Sequence, residues 1–297
     1  MFAIKTLKNV IEQWRSKSFM LLTGVLALAL LAGGTFEFIP AWILRNPSDV
    51  IHLWHIAELG ALSAIFLGGI MLALLRLPEE KPLLAQFFVI GGVILALSIA
   101  PFEIKGAALL LIVALFALVY PNRRGLLSFS REGSTSKALL ALSLLFAVFL
   151  LPVAWRETQW QIVGMTQNDV HALLLHWIGS AALIVLLILA GLLSSTKRPG
   201  WKELGVITGA TYCYLGVIAM IVPGDAGSWG YTGGLFSIIG GVLYMLFTLV
   251  EVQSARVSAE SWSVTQRETK PVTRKAFTPE MLSARTTGEL AETLPVR

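Results

Sequence analysis

Residues 170–193 read VHALLLHWIGSAALIVLLILAGLL, a run of 24 residues without a single Asp, Glu, Lys or Arg. A helix of about 20 apolar residues crosses the roughly 30 Å hydrocarbon core of a bilayer. The run is continuously apolar and does not alternate with polar residues, so it predicts a helix and excludes a strand of an outer-membrane barrel. Its only ionisable residues are His171 and His176. We therefore expect a transmembrane helix with two histidines near its start.

Runs of the same kind recur along the whole chain. Of its 297 residues, 56% are hydrophobic and only 14% are charged, and the mean hydropathy is +0.74. A soluble domain carries about 25% charged residues, so this composition excludes a water-soluble enzyme and predicts an all-α integral membrane protein. The eight predicted spans are Phe19–Ile39, Leu53–Leu75, Leu83–Ala100, Ile104–Tyr120, Ala138–Val153, Val170–Leu193, Leu204–Val222 and Thr232–Val252.

Lysine and arginine are distributed unevenly between the predicted loops. Cytoplasmic segments of membrane proteins carry an excess of these residues. If the N-terminus lies inside, all but three of the 23 basic residues fall on the cytoplasmic side, the exceptions being Arg45, Lys105 and Arg156. This pattern predicts cytoplasmic N- and C-termini in a multi-pass protein of the cell inner (plasma) membrane. The pI of about 9.4 is then explained by basic residues that flank the lipid bilayer on its cytoplasmic side, and no nucleic-acid partner is needed.

Composition divides the chain into five segments. The first mixes basic and apolar side chains, which predicts an amphipathic helix on the cytoplasmic membrane face. The last is polar and contains several prolines, which predicts a mobile cytoplasmic tail. The predicted order is an amphipathic segment 1–18, a first four-helix unit 19–121, a cytoplasmic linker 122–137, a second four-helix unit 138–253 and a tail 254–297.

The two four-helix units share landmarks at a shift of about 120 residues, which indicates an internal duplication. Asp49 precedes the second span as Asp169 precedes the sixth, and a proline followed by a tryptophan closes both the first and the fifth. The shift pairs His55 with His176. Because each unit has four spans, both units begin on the same side of the membrane. The repeats are therefore parallel and related by an axis along the membrane normal.

All four histidines fall at one predicted depth, at the outer ends of the second and sixth spans. His52, His55 and Glu58 lie within about 120° of one another on a helix and form one stripe. His171 and His176 are about 140° apart, so we expect that they do not face the same partner. The internal repeat instead places His55 opposite His176. Ionisable groups inside a span generally mark function, and Glu58, about one turn inside, is the clearest of them.

Imidazole at these positions suits several chemistries, because it ligates haem iron, zinc and copper and also hydrogen-bonds quinols. The single Cys213 excludes an internal disulfide and a cysteine-rich metal site. Motifs of hydrolases and of nucleotide-driven pumps are missing from the sequence. The predicted cofactor-binding residues are His55, His176, His52, His171 and Glu58, with His55 and His176 as the metal ligands.

This layout resembles the heme A synthase family, in which two parallel four-helix halves hold haem-ligating histidines in the even-numbered spans. By that resemblance, His55 is the matching residue of the second span, and His171 or His176 is that of the sixth. The resemblance covers most of the eight spans, and it implies a haem-binding membrane protein.

Three functions stay open at this point. The first is a subunit of an electron-transfer system, with haem b between His55 and His176 or with a quinol/quinone site that also uses Glu58. A chlorophyll-type pigment has the same ligand chemistry. The second is a non-enzymatic structural or assembly subunit, which would contact other subunits of a larger membrane complex. The third is a transporter, which fits less well because only the second span holds an ionisable group clearly inside.

Overall fold

The computed structural model describes residues 2–38, 42, 52–128 and 135–269, and for residues 2–9, 37–38 and 255–269 it describes the backbone alone. The described part of the chain consists of helices and turns, without a β-strand. Three short helices, Pro78–Glu80, Arg123–Leu127 and Val170–Leu173, lie between the long ones. The long helices are α1 (Phe2–Phe38), α2 (Leu53–Leu75), α3 (Pro82–Ile99), α4 (Lys105–Val119), α5 (Lys137–Gln167), α6 (His176–Ser195), α7 (Trp201–Ile221) and α8 (Gly230–Thr269).

Within the described residues, seven of these helices are long and apolar enough to cross a membrane. The exception is α4, which has 15 residues. At 1.5 Å per residue it extends about 22 Å, less than the roughly 30 Å of a hydrocarbon core. The all-α membrane architecture predicted from the composition is thus confirmed, with seven candidate spans and a shorter apolar helix.

Two predicted span boundaries in the second half are wrong. The predicted fifth span ends at Val153, but α5 continues through Pro152 to Gln167. Helices in lipid tolerate a proline, because neighbouring groups satisfy the backbone carbonyl that it leaves free. The predicted sixth span begins at Val170, whereas α6 begins at His176, after an interruption of the helix.

The first and last helices also extend beyond their predicted bounds. α1 runs without a break from Phe2 to Phe38, so the predicted amphipathic segment 1–18 and the first span share one helix. α8 ends at Thr269, so the predicted tail begins as a helix. The rest of that tail, residues 270–297, lies outside the described residues.

α2 changes its winding along its length. It is an α-helix over Leu53–Gly60, a π-helix over Ala61–Gly68 and again an α-helix over Gly69–Leu75. π-helical segments are rare and often lie at functional sites. This one begins three residues after Glu58, which is one of the predicted site residues.

α6 is the most enclosed of the spans, since 72% of its apolar segment is buried, compared with 22% for α1. It packs against α3, α5 and α7, and it also contacts α2. The residues at its start are therefore surrounded by other helices on several sides.

α7 and α8 approach each other backbone to backbone. A Cβ at Gly209 would lie 2.6 Å from the carbonyl oxygen of Gly241, and a Cβ at Gly216 would lie 2.6 Å from that of Gly234. Larger residues do not fit at these positions without movement of a helix. Small residues allow such close packing of helices in a bilayer.

Several contacts of the first four helices have counterparts among the last four. α1 packs on α2 as α5 packs on α6. Of the contacts between the two halves, that of α2 with α7 matches that of α6 with α3. Phe19 of α1 contacts Tyr120, the residue after α4, with ring centroids 5.4 Å apart. Ser143 of α5 contacts Tyr244 of α8, with hydroxyl oxygens 2.6 Å apart.

Polar side chains gather at two groups of helix ends among the described residues. At the first group, which we call the basic end, α2, α4 and α6 end and α3, α5 and α7 begin. Backbone hydrogen bonds hold these ends together: Leu83 N–H donates to the carbonyl of Pro199 at 3.1 Å, and Ser136 N–H donates to that of Ser195 at 2.8 Å. At the histidine end, α2 and α6 begin and α7 finishes. The backbone N–H of Trp54 there donates to Asp225 at 3.3 Å.

Candidate functional site

All four histidines of the chain meet at the histidine end. His52 precedes α2, His55 lies in its first turn, His171 lies in the short helix Val170–Leu173 and His176 is the first residue of α6. In the five pairs that are in contact, the ring centroids are 4.7 to 5.8 Å apart. The rings of His55 and His176 stack at 4.7 Å, with 28° between their planes.

The prediction that His171 and His176 do not face the same partner is wrong. It assumes one continuous helix from Val170, but Leu174 and Leu175 interrupt this helix, and Leu175 has a φ of 62°. A left-handed residue other than glycine costs roughly 1–2 kcal/mol and reverses the local course of the chain. The interruption brings His171 back toward α6, where its ring lies 5.8 Å from that of His176.

Asp169 holds the short helix that carries His171. Its Oδ2 accepts the backbone N–H of Ala172 at 3.1 Å and the indole N–H of Trp177 at 2.8 Å. Its Oδ1 lies 3.5 Å from Nδ1 of His171. Desolvation by itself raises the pKa of Asp169, but these hydrogen bonds and the nearby His171 outweigh it, so the pKa lies below its usual value. Asp169 therefore favours its ionised form and positions His171.

The buried part of the site joins α2 to α6. Nδ1 of His55 lies 3.1 Å from Oε2 of Glu58, one turn later, and the hydroxyl of Ser180 donates to the same carboxylate oxygen. All three side chains are less than 5% exposed. We assign the Nδ1–H tautomer to His55 because a carboxylate accepts hydrogen bonds, and this places the ring's lone pair on Nε2. Among the described residues, Nε2 of His55 has no hydrogen-bond partner.

The turn between α7 and α8 packs directly on this site. Gly227 has a φ of 83°, and a Cβ at this position would lie 3.0 Å from Cε1 of His55 and 3.2 Å from the ring of Trp177. Glycine is needed here both for its backbone conformation and for the lack of space. The turn therefore excludes solvent from one side of the His55 ring.

A pocket of about 320 Å³ opens beside His55, between α2, α3 and α6. Its walls are mainly apolar, and one of the lining side chains, Leu59, is 48% exposed at the surface of the bundle. The polar residues of the lining are His55, Glu58, Lys105, His176 and Ser180. The pocket thus offers a polar group of side chains inside an apolar space.

Three of the histidines form the set that is best placed to hold a metal ion. His52, His171 and His176 each offer a ring nitrogen, and these nitrogens all lie within 4.8 Å of one another. His55, which the sequence predicts as a metal ligand together with His176, does not belong to this set. It stacks on His176 and directs Nδ1 to Glu58.

A haem between His55 and His176 does not fit this arrangement. Two axial histidines must direct a nitrogen to the iron from opposite faces of the porphyrin. The two rings here are stacked 4.7 Å apart, which leaves no space for a macrocycle between them. In addition, neither α4 nor α8 contains a histidine that could supply a second ligand within its own four-helix unit.

Sequence reasoning missed two buried residues of this region. Ser180 lies one turn after His176 on the same face of α6, a spacing that could have identified it. Glu157 lies in the part of α5 beyond the predicted end of the span, so its burial had no signal in the sequence. It is fully buried, and both of its carboxylate oxygens are without a hydrogen-bond partner among the described residues.

No known protein family, no curated protein and no solved structure matches this chain. The fold by itself defines a multi-pass all-α membrane protein. The site adds a buried His–Glu–Ser group next to a cluster of four histidines and an apolar pocket.

Proposed function

We propose that this protein is a membrane subunit of an electron-transfer system and that it binds a quinol or quinone at the histidine end. The observation that carries the proposal is the apolar pocket of about 320 Å³ whose polar lining includes His55, Glu58 and His176. Small-molecule sites generally have volumes of about 300–1,000 Å³, mostly apolar walls and a few convergent polar groups. Buried polar atoms nearly always have a partner, yet Nε2 of His55 and Nδ1 of His176 have none within the described chain.

The His55–Glu58 pair supplies the chemistry that a quinol needs. A quinol is an aromatic diol, and its oxidation releases two electrons and two protons. Glu58 accepts the Nδ1–H of His55, so Nε2 is available to accept a quinol O–H. The carboxylate of Glu58 then stabilises the imidazolium that forms after transfer of the first proton. The second proton passes to Nδ1 of His176, which also belongs to the pocket lining and has no partner in the described chain. The electrons pass to a redox centre of a partner subunit of the membrane complex.

The position of the pocket suits a lipid-soluble substrate. It lies between α2, α3 and α6, and the exposed side chain of Leu59 forms part of its rim. A quinone ring in the pocket would leave its isoprenoid chain in the bilayer. Lys105, at the start of α4, also lines the pocket, with its ammonium 2.7 Å from the carboxylate of Glu103.

We further propose that the chain crosses the membrane eight times. α4 is the shortest of the eight long helices, but its two ends lie at opposite ends of the bundle. Lys105 at its start lines the pocket of the histidine end, and Tyr120 just after its end donates to the carbonyl of Pro78 at the basic end, at 2.8 Å. A helix between these two positions passes through the whole bundle.

The eight helices are best explained as two tandem parallel four-helix units. The matching helix contacts support this duplication, since α1 and α2 pair as α5 and α6 do. The contacts of Phe19 with Tyr120 and of Ser143 with Tyr244 fall at equal sequence separations in the two halves. In this arrangement the stacked rings of His55 and His176 lie across the pseudo-two-fold axis.

The charge distribution supports cytoplasmic termini in the inner (plasma) membrane. Most of the described basic side chains, including Lys81, Lys197 and Arg198, lie at the basic end, whereas Lys105 and Arg156 lie toward the other. The basic end is then cytoplasmic and the histidine end faces outward. Protons from a bound quinol would leave on the outer side of the membrane.

Quinone binding by the purified protein tests the proposal. The chain is purified in detergent, and a short-chain quinone is titrated while the tryptophan fluorescence is recorded, because Trp177 lies against His55 at a ring distance of 4.9 Å. We expect saturable binding, and we expect Glu58→Gln and His55→Asn to weaken it by about tenfold or more, the value of one lost charge-assisted hydrogen bond. Glu80→Gln, which changes an exposed carboxylate at the basic end, is the control.

The result also separates the alternatives. Equal quinone affinities in all variants, or no saturable binding, would overturn the quinone site. A Soret band or a pigment band in the absorption spectrum of the purified protein would favour haem b or a chlorophyll-type pigment instead. A colourless protein that binds no quinone but co-purifies with larger subunits would favour the structural or assembly role.

A further inference from the structure

We infer that His52, His171 and His176 form a binding site for one divalent transition-metal ion of the Zn²⁺ or Cu²⁺ class. A ring nitrogen from each of the three lies within 4.8 Å of those from the other two. The three residues come from different elements, namely the turn before α2, the short helix Val170–Leu173 and the start of α6. Their convergence is therefore a property of the fold and not of local sequence.

The donor set matches the preferences of these metals. Neutral imidazole binds zinc and copper well, and three protein ligands with an open fourth position are typical of reactive zinc sites. At a metal–nitrogen distance of about 2.0–2.1 Å, the nitrogens of a tetrahedral site are about 3.4 Å apart. The observed separations need to contract by at most about 1.4 Å, which side-chain rotation of the three histidines can supply.

The hydrogen bonding of His171 also fits a metal ligand. A ligating histidine generally directs its second ring nitrogen to a carboxylate, which fixes the ring orientation. Nδ1 of His171 lies 3.5 Å from Asp169, and its buried Nε2 has no partner in the described chain. Asp169 is itself fixed by the N–H groups of Ala172 and Trp177. The ring is thus held with its free nitrogen in the histidine cluster.

The left-handed conformation of Leu175 helps to bring the metal ligands together. A residue other than glycine in this conformation is unfavourable and persists only where the surrounding structure imposes it. The interruption at Leu174 and Leu175 turns two histidines that would point apart on one helix toward a common point. We expect metal binding to compensate for part of this local cost.

The metal site is separate from the quinone pocket in its composition. His52 and His171 do not line the pocket, whereas His55, Glu58 and Ser180 line it and are not part of the three-histidine set. Only His176 belongs to both. Variants of His52 and His171 therefore report on the metal, and Ser180→Ala reports on the pocket.

Zinc binding by the full-length protein tests the site. The protein is purified with a tag that contains no histidine, so that its four native histidines are the only ones present. Isothermal titration with Zn²⁺ alone, and with Co²⁺ as a spectroscopic substitute, gives stoichiometry and ligand geometry. We expect one ion per chain, an increase of the unfolding temperature with Zn²⁺, and a tetrahedral Co²⁺ absorption band.

Each of the variants His52→Gln, His171→Gln and His176→Gln should weaken zinc binding by at least tenfold and abolish the thermal stabilisation by Zn²⁺. Asp169→Asn should weaken it by about tenfold, as is usual for a residue that orients a ligand. Ser180→Ala and Glu103→Gln should bind as the unchanged protein does. Stoichiometric binding that survives in all three histidine variants, or no binding by the unchanged protein, would overturn the site. Circular dichroism of each variant before titration shows that it is folded.

Discussion

The basic end and the histidine end of the bundle both bury polar side chains, but the two ends differ in how these side chains are hydrogen-bonded. At the basic end, Arg198 donates to Oε1 of Gln86 at 2.6 Å and to the carbonyl of Ser128, while Nε2 of Gln86 donates to the carbonyls of Leu126 and Ser128 at 2.7 and 2.9 Å. This network joins α3 to the turns that follow α4 and α6. Each of its members has a partner.

At the histidine end, several buried polar atoms of the described residues have no protein partner. They are Nε2 of His55 and of His171, Nδ1 of His176 and both carboxylate oxygens of Glu157. A closed network of buried hydrogen bonds stabilises a unique packing, whereas an open one lowers stability and is retained where a ligand completes it. The comparison therefore assigns stability to the basic end and ligand binding to the histidine end.

The largest effect is expected at the basic end, from Arg198→Ala. Removal of the guanidinium breaks two hydrogen bonds to a charged donor and leaves Oε1 of Gln86 without its donor. Each such bond is worth about 1.5–3 kcal/mol, so the loss of both costs about 3–6 kcal/mol. The free energy of unfolding, measured by denaturant titration in mixed micelles, should fall by about this amount. Quinone and zinc binding by the fraction that remains folded should be unchanged.

Arg124→Ala is the matched control, because Arg124 is exposed at the same end of the bundle. It should change the free energy of unfolding by less than about 0.5 kcal/mol, as is usual for surface positions. If Arg198→Ala were as mild as this control, the basic end would not be the stabilising end.

Those features of the histidine end that follow from local sequence patterns could be predicted. The i, i+3 spacing of His55 and Glu58 predicted one helical stripe, and the structure joins the two side chains at 3.1 Å. The interruption at Leu174 and Leu175 could not be predicted, because leucine carries no signal for a left-handed turn inside an apolar run. The convergence of His52, His171 and His176 depends on that turn, so it could not be predicted either.

Pro152 is the reason why the predicted end of the fifth span is wrong. Pro152 predicts a helix end in water, where a proline in a helix interior costs about 3 kcal/mol. In the structure α5 continues for 15 residues beyond it, and this extension carries Glu157 and Gln161 to the start of α6. Gln161 there accepts the backbone N–H of Ile178 and donates to the carbonyl of Ala172. Tertiary contacts of this kind, which periodicity does not encode, position the rest of the site.

The next effect has the opposite sign and lies at the histidine end. Glu157→Leu replaces a fully buried carboxylate, whose oxygens have no partner in the described chain, by an apolar side chain of similar size. An unsatisfied buried polar group costs about 1–3 kcal/mol, which its replacement by an apolar group of similar shape removes. We expect the free energy of unfolding to rise by about 1–2 kcal/mol, measured in the same titration.

Glu80→Leu, at an exposed carboxylate of the basic end, controls for the exchange of a carboxylate for leucine and should leave stability nearly unchanged. A loss of stability in Glu157→Leu would show that the carboxylate has a stabilising partner and would remove the distinction between the two ends.

A smaller effect is expected from Gly227→Ala, in the turn that packs on His55. The new Cβ requires an unfavourable φ of 83° and would lie 3.0 Å from Cε1 of His55, so the free energy of unfolding should fall by about 1 kcal/mol. Quinone affinity should fall as well, because His55 has to move. Gly224→Ala in the same turn is the matched control, since nothing lies within 4 Å of its Cβ position. Equal behaviour of the two variants would show that the turn does not hold the His55 ring.

The smallest effect concerns pH and Asp169. The pKa of Asp169 in the folded protein lies below the usual value of about 3.9. The ionised form of Asp169 is therefore more stable in the folded protein than in the unfolded chain, and it contributes to the free energy of unfolding. This contribution is complete above about pH 4 and is lost as the pH falls through the folded-state pKa. We expect the unfolding temperature of the unchanged protein to decrease more steeply below pH 4 than that of Asp169→Asn. Parallel curves would mean that Asp169 does not hold the histidine-bearing turn through its charge, and that His171 is positioned by packing against Trp177 and the other histidines.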